Sequence, residues 1–193
     1  MTDRSRPLAL LETKVLHQGW GRYLLASVRL QDGTVVEREV EDHGHAAAVL
    51  PYDPERRTAL LVRLPRTGPL LTGADPWMLE APAGMLDDED AETAIRREAM
   101  EEAGVRLEVL EPAGTPYATP GVSTETLALF LAPYGASDRV AAGGGLAEEH
   151  EDIEVVETPL AELWRAVEAG EVRDLKTLAL IALLRARRPE LFA

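Results

Sequence analysis

Residues 83–105 of the chain read AGMLDDEDAETAIRREAMEEAGV, and this stretch says most about the fold. It predicts a helix over residues 90–103, with acidic residues 87–90 as N-terminal caps and Gly104 after its last turn. A helix turns by about 100° per residue, which places Glu98 and Glu102 on the side that carries its small apolar residues. Glu101 lies about 60° from Glu98, still close enough to share an ion. The helix therefore gathers three carboxylates near one face.

Two interpretations of these glutamates remain open from the residue pattern. An exposed like-charge pair four residues apart costs only about 0.2–0.5 kcal/mol, so the glutamates could form a solvated acidic face. On an inward face, an uncompensated charge costs about 3–5 kcal/mol, so positive charge would have to lie between them. Arg97 flanks the cluster, but one guanidinium is not expected to neutralise three carboxylates. A hard divalent cation with oxygen ligands, Mg²⁺ above all, fits an inward face better.

Composition narrows the class of protein. The chain has 193 residues, 46% of them apolar and 28% charged, which suits one globular domain with a small appendage. A net charge of −14 argues against nucleic acid or anionic membranes as partners. No apolar run approaches the length of a membrane span, the N-terminus has no secretory pattern, and there is no cysteine. We therefore expect a cytoplasmic protein.

The order of predicted elements indicates an α/β fold. Two alternating runs, RYLLASVRL and TVVEREV, flank a turn at residues 31–33, and further strands are predicted in AAAVLPYD, ALLVRL, RLEVLE and TETLALFLA. Residues 67–76 and 136–152 are predicted loops. PLAELWRAVEAGEV and LKTLALIALLRAR are predicted as two C-terminal helices, the first ended by Gly170. Strands and helices interleave without strict alternation, which predicts a mixed sheet with helices on its faces and an N-terminal β appendage.

The segment REAMEEAGV, residues 97–105, resembles the second half of the Nudix box, the signature of a family of magnesium-dependent diphosphate hydrolases. The usual pattern is G-x5-E-x7-R-E-U-x-E-E-x-G-U, where U is apolar. Here the interval from Gly84 to Arg97 is one residue shorter, so Glu89 or Asp90 must stand for the first glutamate. This departure puts the role of that position in doubt, while the half that carries the metal ligands is complete.

Further segments resemble one branch of the family. WMLEAPAGML before the box and YATPGVSTE after it are similar to ADP-sugar pyrophosphatases. The shortened box, GGG at 143–145, EDIEV at 151–155 and GEVRDLKT at 170–177 look like GDP-mannose pyrophosphatases. The resemblance covers about residues 20–185. It implies an α/β/α sandwich with a mixed sheet over residues 44–193, and an N-terminal β-strand region, 1–43, that lies in a homodimer interface.

The resemblance also implies an activity and its site. The expected reaction is Mg²⁺-dependent hydrolysis of the diphosphate bond of a nucleoside diphosphate sugar, ADP-ribose or GDP-mannose, with Mn²⁺ as a possible substitute. The products would be a nucleoside monophosphate and a sugar phosphate. The expected metal ligands are Glu98, Glu102, Glu151 and the backbone carbonyl of Ala83. Glu101 is a further ligand or supporting group, Arg97 orients the glutamates, and Glu151 is a metal ligand or the general base. The glycines at 143–145 are expected to let the loop close over the substrate.

Substrate contacts are expected from residues outside the box. Arg66 is the stronger candidate for binding phosphate, ahead of Arg63, because a guanidinium can bind phosphate with two hydrogen bonds. Glu80 is a candidate for contacting sugar hydroxyls. Arg38 and Trp20, in the appendage, are candidates for reaching the substrate across the dimer, although Trp20 could equally serve in packing. Lys176 recurs in the branch, with no role that its position in the sequence explains.

A second class of function shares the fold. A non-catalytic Nudix-fold sensor would bind the same ligands without cleaving them. Such proteins typically lack some box glutamates or carry a DNA-binding domain, and this sequence shows neither feature. Hydrolysis is therefore the favoured prediction, and the sensor is the alternative.

Overall fold

The computed structural model describes residues 7–146 and 152–193, and it divides the chain into two compact units. The first unit consists of residues 7–45 together with Tyr117–Thr126, and the second holds the remaining described residues. Within the described ranges, no helix combines the length and the apolar character that a membrane span requires.

The first unit contains the strands β1 (Ala9–Gln18), β2 (Arg22–Arg29) and β3 (Val35–Asp42), which pair antiparallel in that order. The predicted hairpin between β2 and β3 is confirmed. Gly33 has φ of 90°, and the Asp32 carboxylate accepts the N–H of Thr34 at 2.9 Å, which closes the turn. Strand β1 was not predicted. Its pairing with β2 is interrupted at two places, so the two-residue alternation that identifies a strand is broken.

The second unit is built on a mixed sheet, which within the described residues has seven strands. The sheet follows the order β10-β5-β4-β9-β8, β6 pairs with β5 and β7 pairs with β4, and the pairing of β4 with β9 is parallel. The strands are β4 (Ala46–Asp53), β5 (Thr58–Pro65), β6 (Trp77–Glu80), β7 (Ala83–Met85), β8 (Glu111–Gly114), β9 (Leu127–Pro133) and β10 (Glu154–Pro159). The predicted mixed sheet is thus confirmed.

Helices cover both faces of this sheet. They are α2 (Ala91–Ala103), α3 (Leu160–Glu168) and α4 (Leu175–Arg187), whereas the short helix α1 (Thr67–Leu71) has no buried residue. On one face Ile95 and Ala99 of α2 pack with Val49 and Leu60, and on the other face Leu163 of α3 and Leu180 of α4 close a second core. Strand β4 is fully buried between the two layers, and its mostly apolar sequence AAAVLPYD fits that position. The arrangement is the predicted α/β/α sandwich.

Besides β1, three elements differ from the sequence-based expectation. RLEVLE at 106–111 was predicted as a strand, but strand pairing begins only at Glu111, where β8 runs through PAG. The loop at 67–76 contains the short helix α1. Strand β10 was missed because its sequence, EVVETP, follows a long polar stretch and supplies only one apolar pair. For the two strands, pairing partners distant in the chain decide the outcome.

Candidate active site

Helix α2 begins and ends where its sequence indicates. Asp90 is the N-cap, and its carboxylate accepts the backbone N–H groups of Glu92 at 3.1 Å and Thr93 at 3.0 Å. Gly104 follows the last residue in the left-handed conformation, with φ of 65°. Both ends of the helix are therefore fixed by local interactions.

The inward face of α2 carries a buried carboxylate. Ala94, Ile95, Ala99 and Ala103 are fully buried, and Glu102, on the same side, is only 4% exposed. The backbone N–H of Ala83 in β7 donates to Glu102 Oε2 at 3.0 Å. Of the two interpretations left open by the sequence, the structure therefore has Glu102 facing inward.

Glu98 lies one turn before Glu102 and packs directly on β7. A Cβ atom added to Gly84 would come within 2.0 Å of Glu98 Oε1, so any side chain at residue 84 would displace this carboxylate. The absence of a side chain at Gly84 is thus what lets Glu98 approach the strand backbone. Together Glu98 and Glu102 lie against consecutive residues, Ala83 and Gly84.

Arg97 contacts three carboxylates, two of which, Glu98 and Glu101, belong to the predicted trio of glutamates on α2. Its Nη1 donates to Glu98 Oε1 and to Glu101 Oε2, both at 2.9 Å, and its Nε donates to Glu89 Oε2 at 3.1 Å. Partial burial lowers the pKa of Arg97, but the bond to Glu89 and the charges of Glu98 and Glu101 outweigh it and raise the pKa above its ordinary value. Arg97 therefore stays charged and holds Glu98 and Glu101 in place.

A second charged cluster surrounds Glu80 at the end of β6. Glu80 is 3% exposed; Arg66 Nε and Nη2 each donate to its carboxylate at 2.9 Å, and Lys176 contacts it from the first turn of α4. Burial alone would raise the pKa of Glu80, but the hydrogen bonds and charges of Arg66 and Lys176 outweigh it and lower the pKa to about 2. Glu80 is thus an anion held between two cations. Binding the buried Glu80 carboxylate is the structural role of Lys176, which its position in the sequence did not reveal.

The first turn of α4 also holds the chain that leads to β7. Thr177 is fully buried, and its hydroxyl oxygen accepts the N–H of Ala81 at 2.6 Å. The same hydroxyl donates to Asp174, the N-cap of α4, which pairs with Lys176 at 3.2 Å. Residues 80 and 81 are therefore fixed to α4 just before Ala83, whose N–H reaches Glu102.

Arg66 links the two clusters electrostatically. Its side chain is 45% exposed, although two of its nitrogens are bound by Glu80. The hydrogen bond that Arg66 donates to Glu80 has the largest effect and raises the pKa of Arg66; burial opposes it, and the charges of Glu80 and Glu102 raise the pKa further. The guanidinium therefore lies within electrostatic reach of the buried carboxylate of α2.

Other predicted site residues lie elsewhere. Arg63 pairs with Glu154 at 3.3 Å and lines a separate cleft of about 640 Å³ with Trp77 and Arg173, so the structure does not bring it together with the α2 carboxylates. Trp20 and Arg38 belong to the first unit. Trp20 is 79% exposed and stacks on His43 with ring centroids 4.9 Å apart, while Arg38 donates to the carbonyl of Glu37. Glu151 lies outside the described residues.

Comparison with known proteins identifies the family. The model of the NUDIX domain matches residues 42–180. The chain belongs to the NUDIX family. It is 39% identical over 183 residues to a GDP-mannose pyrophosphatase of Cronobacter sakazakii, covering 92% of this chain and 95% of the relative. The corresponding enzyme of Citrobacter koseri is 36% identical over 182 residues, covering 92% and 94%.

A solved structure shares the NUDIX fold. The crystal structure of an ADP compounds hydrolase superposes with a TM-score of 0.76 and covers 96% of each chain, at 17% sequence identity. At that identity the likeness concerns the fold alone. It agrees with the mixed sheet and the two helical layers described above.

NUDIX hydrolases generally need a divalent metal, and the α2 residues suit one. The carboxylates of Glu98 and Glu102 lie against β7 at Ala83 and Gly84, and carboxylate and carbonyl oxygens are the hard donors that Mg²⁺ prefers. In residues 7–146 and 152–193, no three Asp, Glu or His side chains form a group that could hold a metal ion. Glu98 and Glu102, with the Ala83 carbonyl, would therefore offer Mg²⁺ a set of hard oxygen donors, with further positions left for water.

Sequence reasoning missed Asp174 and Thr177 as site residues. The spacing of Asp174 and Thr177 at the start of an apolar run does indicate a helix N-cap, and the cap is present. Nothing local indicates that Thr177 also accepts from Ala81, because 96 residues separate the two.

Proposed function

We propose that the protein hydrolyses the diphosphate bond of a nucleoside diphosphate sugar, GDP-mannose or ADP-ribose, in a reaction that depends on Mg²⁺, with Mn²⁺ as a substitute. The products are a nucleoside monophosphate and a sugar phosphate. Two relatives more than 35% identical along 92% of the chain are named GDP-mannose pyrophosphatase, which supports this reaction class. Site geometry supports it independently.

The observation that carries the proposal is the buried Glu102 beside Glu98 at Ala83. A carboxylate that is 4% exposed is costly unless positive charge or hydrogen bonds compensate it. Glu98, Glu102 and the Ala83 carbonyl would hold the metal, which when bound neutralises diphosphate oxygens and lowers the pKa of an attacking water. Under this proposal, the inward-facing carboxylate of Glu102 serves catalysis by binding the metal.

The chain's own residues perform the remaining tasks. Arg97 binds Glu98 and Glu101 and so fixes the direction of their carboxylates. Arg66, held through two hydrogen bonds by Glu80, is oriented before a ligand arrives and binds a phosphate with its exposed part. Glu80 thus acts through Arg66, and its burial leaves it little surface for contact with sugar hydroxyls. Glu151 remains the proposed metal ligand or base.

We also infer that the protein is a homodimer through its N-terminal sheet, with Trp20 and Arg38 contributing to the partner's substrate site. The support is exposed apolar surface: Leu10 is 64% exposed, Val15 50% and Trp20 79%. A molar mass near 21 kDa in light scattering, equal to one chain, would refute the dimer. A mass near twice that value, lost in Leu10→Glu, would support it.

Hydrolysis is tested with a panel of nucleoside diphosphate sugars in Mg²⁺, measuring released monophosphate. We expect turnover of GDP-mannose or ADP-ribose, and a loss of about 10³-fold or more in Glu102→Gln, because a neutral amide cannot replace a metal-binding carboxylate. Glu92→Gln, on the exposed first turn of the same helix, is the matched control and should stay within about twofold. Binding without any turnover would favour the sensor, and activity that survives a chelator would remove the metal assignment.

A further inference from the structure

Residues 140–145 wrap around the C-terminal end of α2. The N–H groups of Gly144 and Gly145 donate to the backbone carbonyls of Glu102 at 2.8 Å and Glu101 at 3.0 Å. The N–H groups of Val140 and Ala141 donate to the carbonyl of Gly104 at 3.0 and 3.2 Å. The last carbonyls of a helix have no partner within the helix, so this segment supplies the donors they lack.

This arrangement requires glycine. Gly143, Gly144 and Gly145 have φ angles of 73°, 110° and 77°, a region that other residues rarely adopt. A Cβ atom at Gly143 would lie 2.4 Å from the carbonyl oxygen of Glu102. At the facing position, a Cβ atom at Gly104 would lie 2.2 Å from the carbonyl oxygen of Ala141. The segment and the helix end are thus in direct backbone contact, with no room for a side chain at Gly143 or Gly104.

The carbonyls bound in this way belong to Glu101 and Glu102, two of the residues that face the candidate site. The backbone of the last turn of α2 determines where the Glu102 side chain starts, and that side chain accepts the N–H of Ala83 in strand β7. A shift of the last turn would therefore move the Glu102 carboxylate relative to Ala83 and Gly84.

We propose that Gly143 and Gly144 are positioning residues for catalysis, since they hold the last turn of α2 and thereby fix the Glu102 carboxylate. This inference rests on the proposed hydrolase function. It differs from the expectation that the glycines let a loop close over the substrate: four hydrogen bonds and two close backbone contacts make the segment part of the helix end.

The test compares Gly143→Ala with Gly170→Ala. Both glycines have φ of 73°, so alanine strains the backbone equally, but a Cβ atom at Gly170 meets no atom within 4 Å. We expect Gly143→Ala to lower kcat by about 10- to 100-fold and to raise the Mg²⁺ concentration for half-maximal activity, with KM within about threefold of wild type. Gly170→Ala should leave all three values within about twofold. Equal kcat values in the two folded variants would overturn the proposal.

A second measurement needs neither substrate nor a variant that folds. In the wild-type protein without metal, hydrogen exchange at the amides of Gly144 and Gly145 should be as slow as at the amides in the middle of α2. Exchange as fast as in an exposed loop would overturn the proposal, whatever Gly143→Ala does. If the wild-type protein turned over no substrate, the proposed hydrolase function would fail, whereas the exchange result would still report on the attachment to α2.

Discussion

Replacing Glu80 with glutamine tests the buried charge cluster. The pKa of Glu80 is lowered from 4.5 to about 2 because Arg66 and Lys176 favour its charged form more strongly than burial opposes it. This difference corresponds to about 3 kcal/mol of folding free energy at neutral pH. Glu80→Gln keeps the shape but removes the charge, so its free energy of unfolding at pH 7, measured by urea denaturation, should be lower by about 3 kcal/mol.

The dependence on pH distinguishes a charge effect from a packing effect. Because the pKa of folded Glu80 is below its ordinary value, the stabilisation is fully present above pH 4.5 and is lost as the pH falls towards 2. At pH 3 the difference between wild type and Glu80→Gln should therefore shrink to about 1 kcal/mol. Glu154→Gln, whose partner Arg63 is exposed, is the matched control and should cost less than about 1 kcal/mol. A loss in Glu80→Gln that is equal at pH 7 and pH 3 would refute the reasoning.

Two further substitutions test the contacts around β7. Gly84→Ala should displace Glu98, because Glu98 Oε1 would lie 2.0 Å from the new Cβ atom, and should lower Mg²⁺-dependent turnover by about tenfold or more. The control is Gly68→Ala, whose new Cβ atom meets no atom within 4 Å and should leave turnover unchanged. Equal turnover in the two variants would contradict this prediction. Thr177→Val leaves the buried N–H of Ala81 without its acceptor and should lower the free energy of unfolding by about 1–3 kcal/mol, with Thr177→Ser recovering most of the loss. Full stability of Thr177→Val in urea denaturation would show that the hydroxyl is dispensable.

Local signals in the sequence were sufficient for α2 but not for the direction of its carboxylates. Asp90 and Gly104 act on neighbouring residues, so the ends of the helix were predicted to within one residue. Glu102 interrupts the apolar side of the helix, and such an interruption looks the same in sequence whether the residue is solvated or bound by Ala83. Only the strand that contacts the helix decides between the two.

The charge cluster around Glu80 could not be predicted from the sequence, because its members meet only in the folded structure. Arg66 and Glu80 are 14 residues apart, and Lys176 is a further 96 residues along the chain from Glu80. Each looks like an ordinary charged residue at the end of an element. Their pairing depends on the sheet register, where Glu80 lies opposite Val62, and on the packing of the α4 N-terminus beside it. Glu80 was therefore predicted to contact substrate, while the structure pairs it with Arg66 and Lys176.

The two clusters differ in charge, and that difference bears on the reaction. Around α2, the guanidinium of Arg97 pairs with three carboxylates, those of Glu89, Glu98 and Glu101, which leaves a surplus of negative charge among these four side chains. An anionic diphosphate would be repelled there, more so in a chain of net charge −14. The repulsion disappears if divalent cations lie between carboxylates and phosphates.

The cluster around Glu80 is balanced instead, because Arg66 and Lys176 are matched by Glu80 and Asp174. It adds no repulsion of its own, and it holds the Arg66 guanidinium in one plane through two hydrogen bonds. A guanidinium fixed in this way loses little conformational freedom when it binds a phosphate. The proposed hydrolysis would use both features, because a surplus of carboxylates at α2 would attract divalent cations and a pre-oriented Arg66 would bind the phosphate.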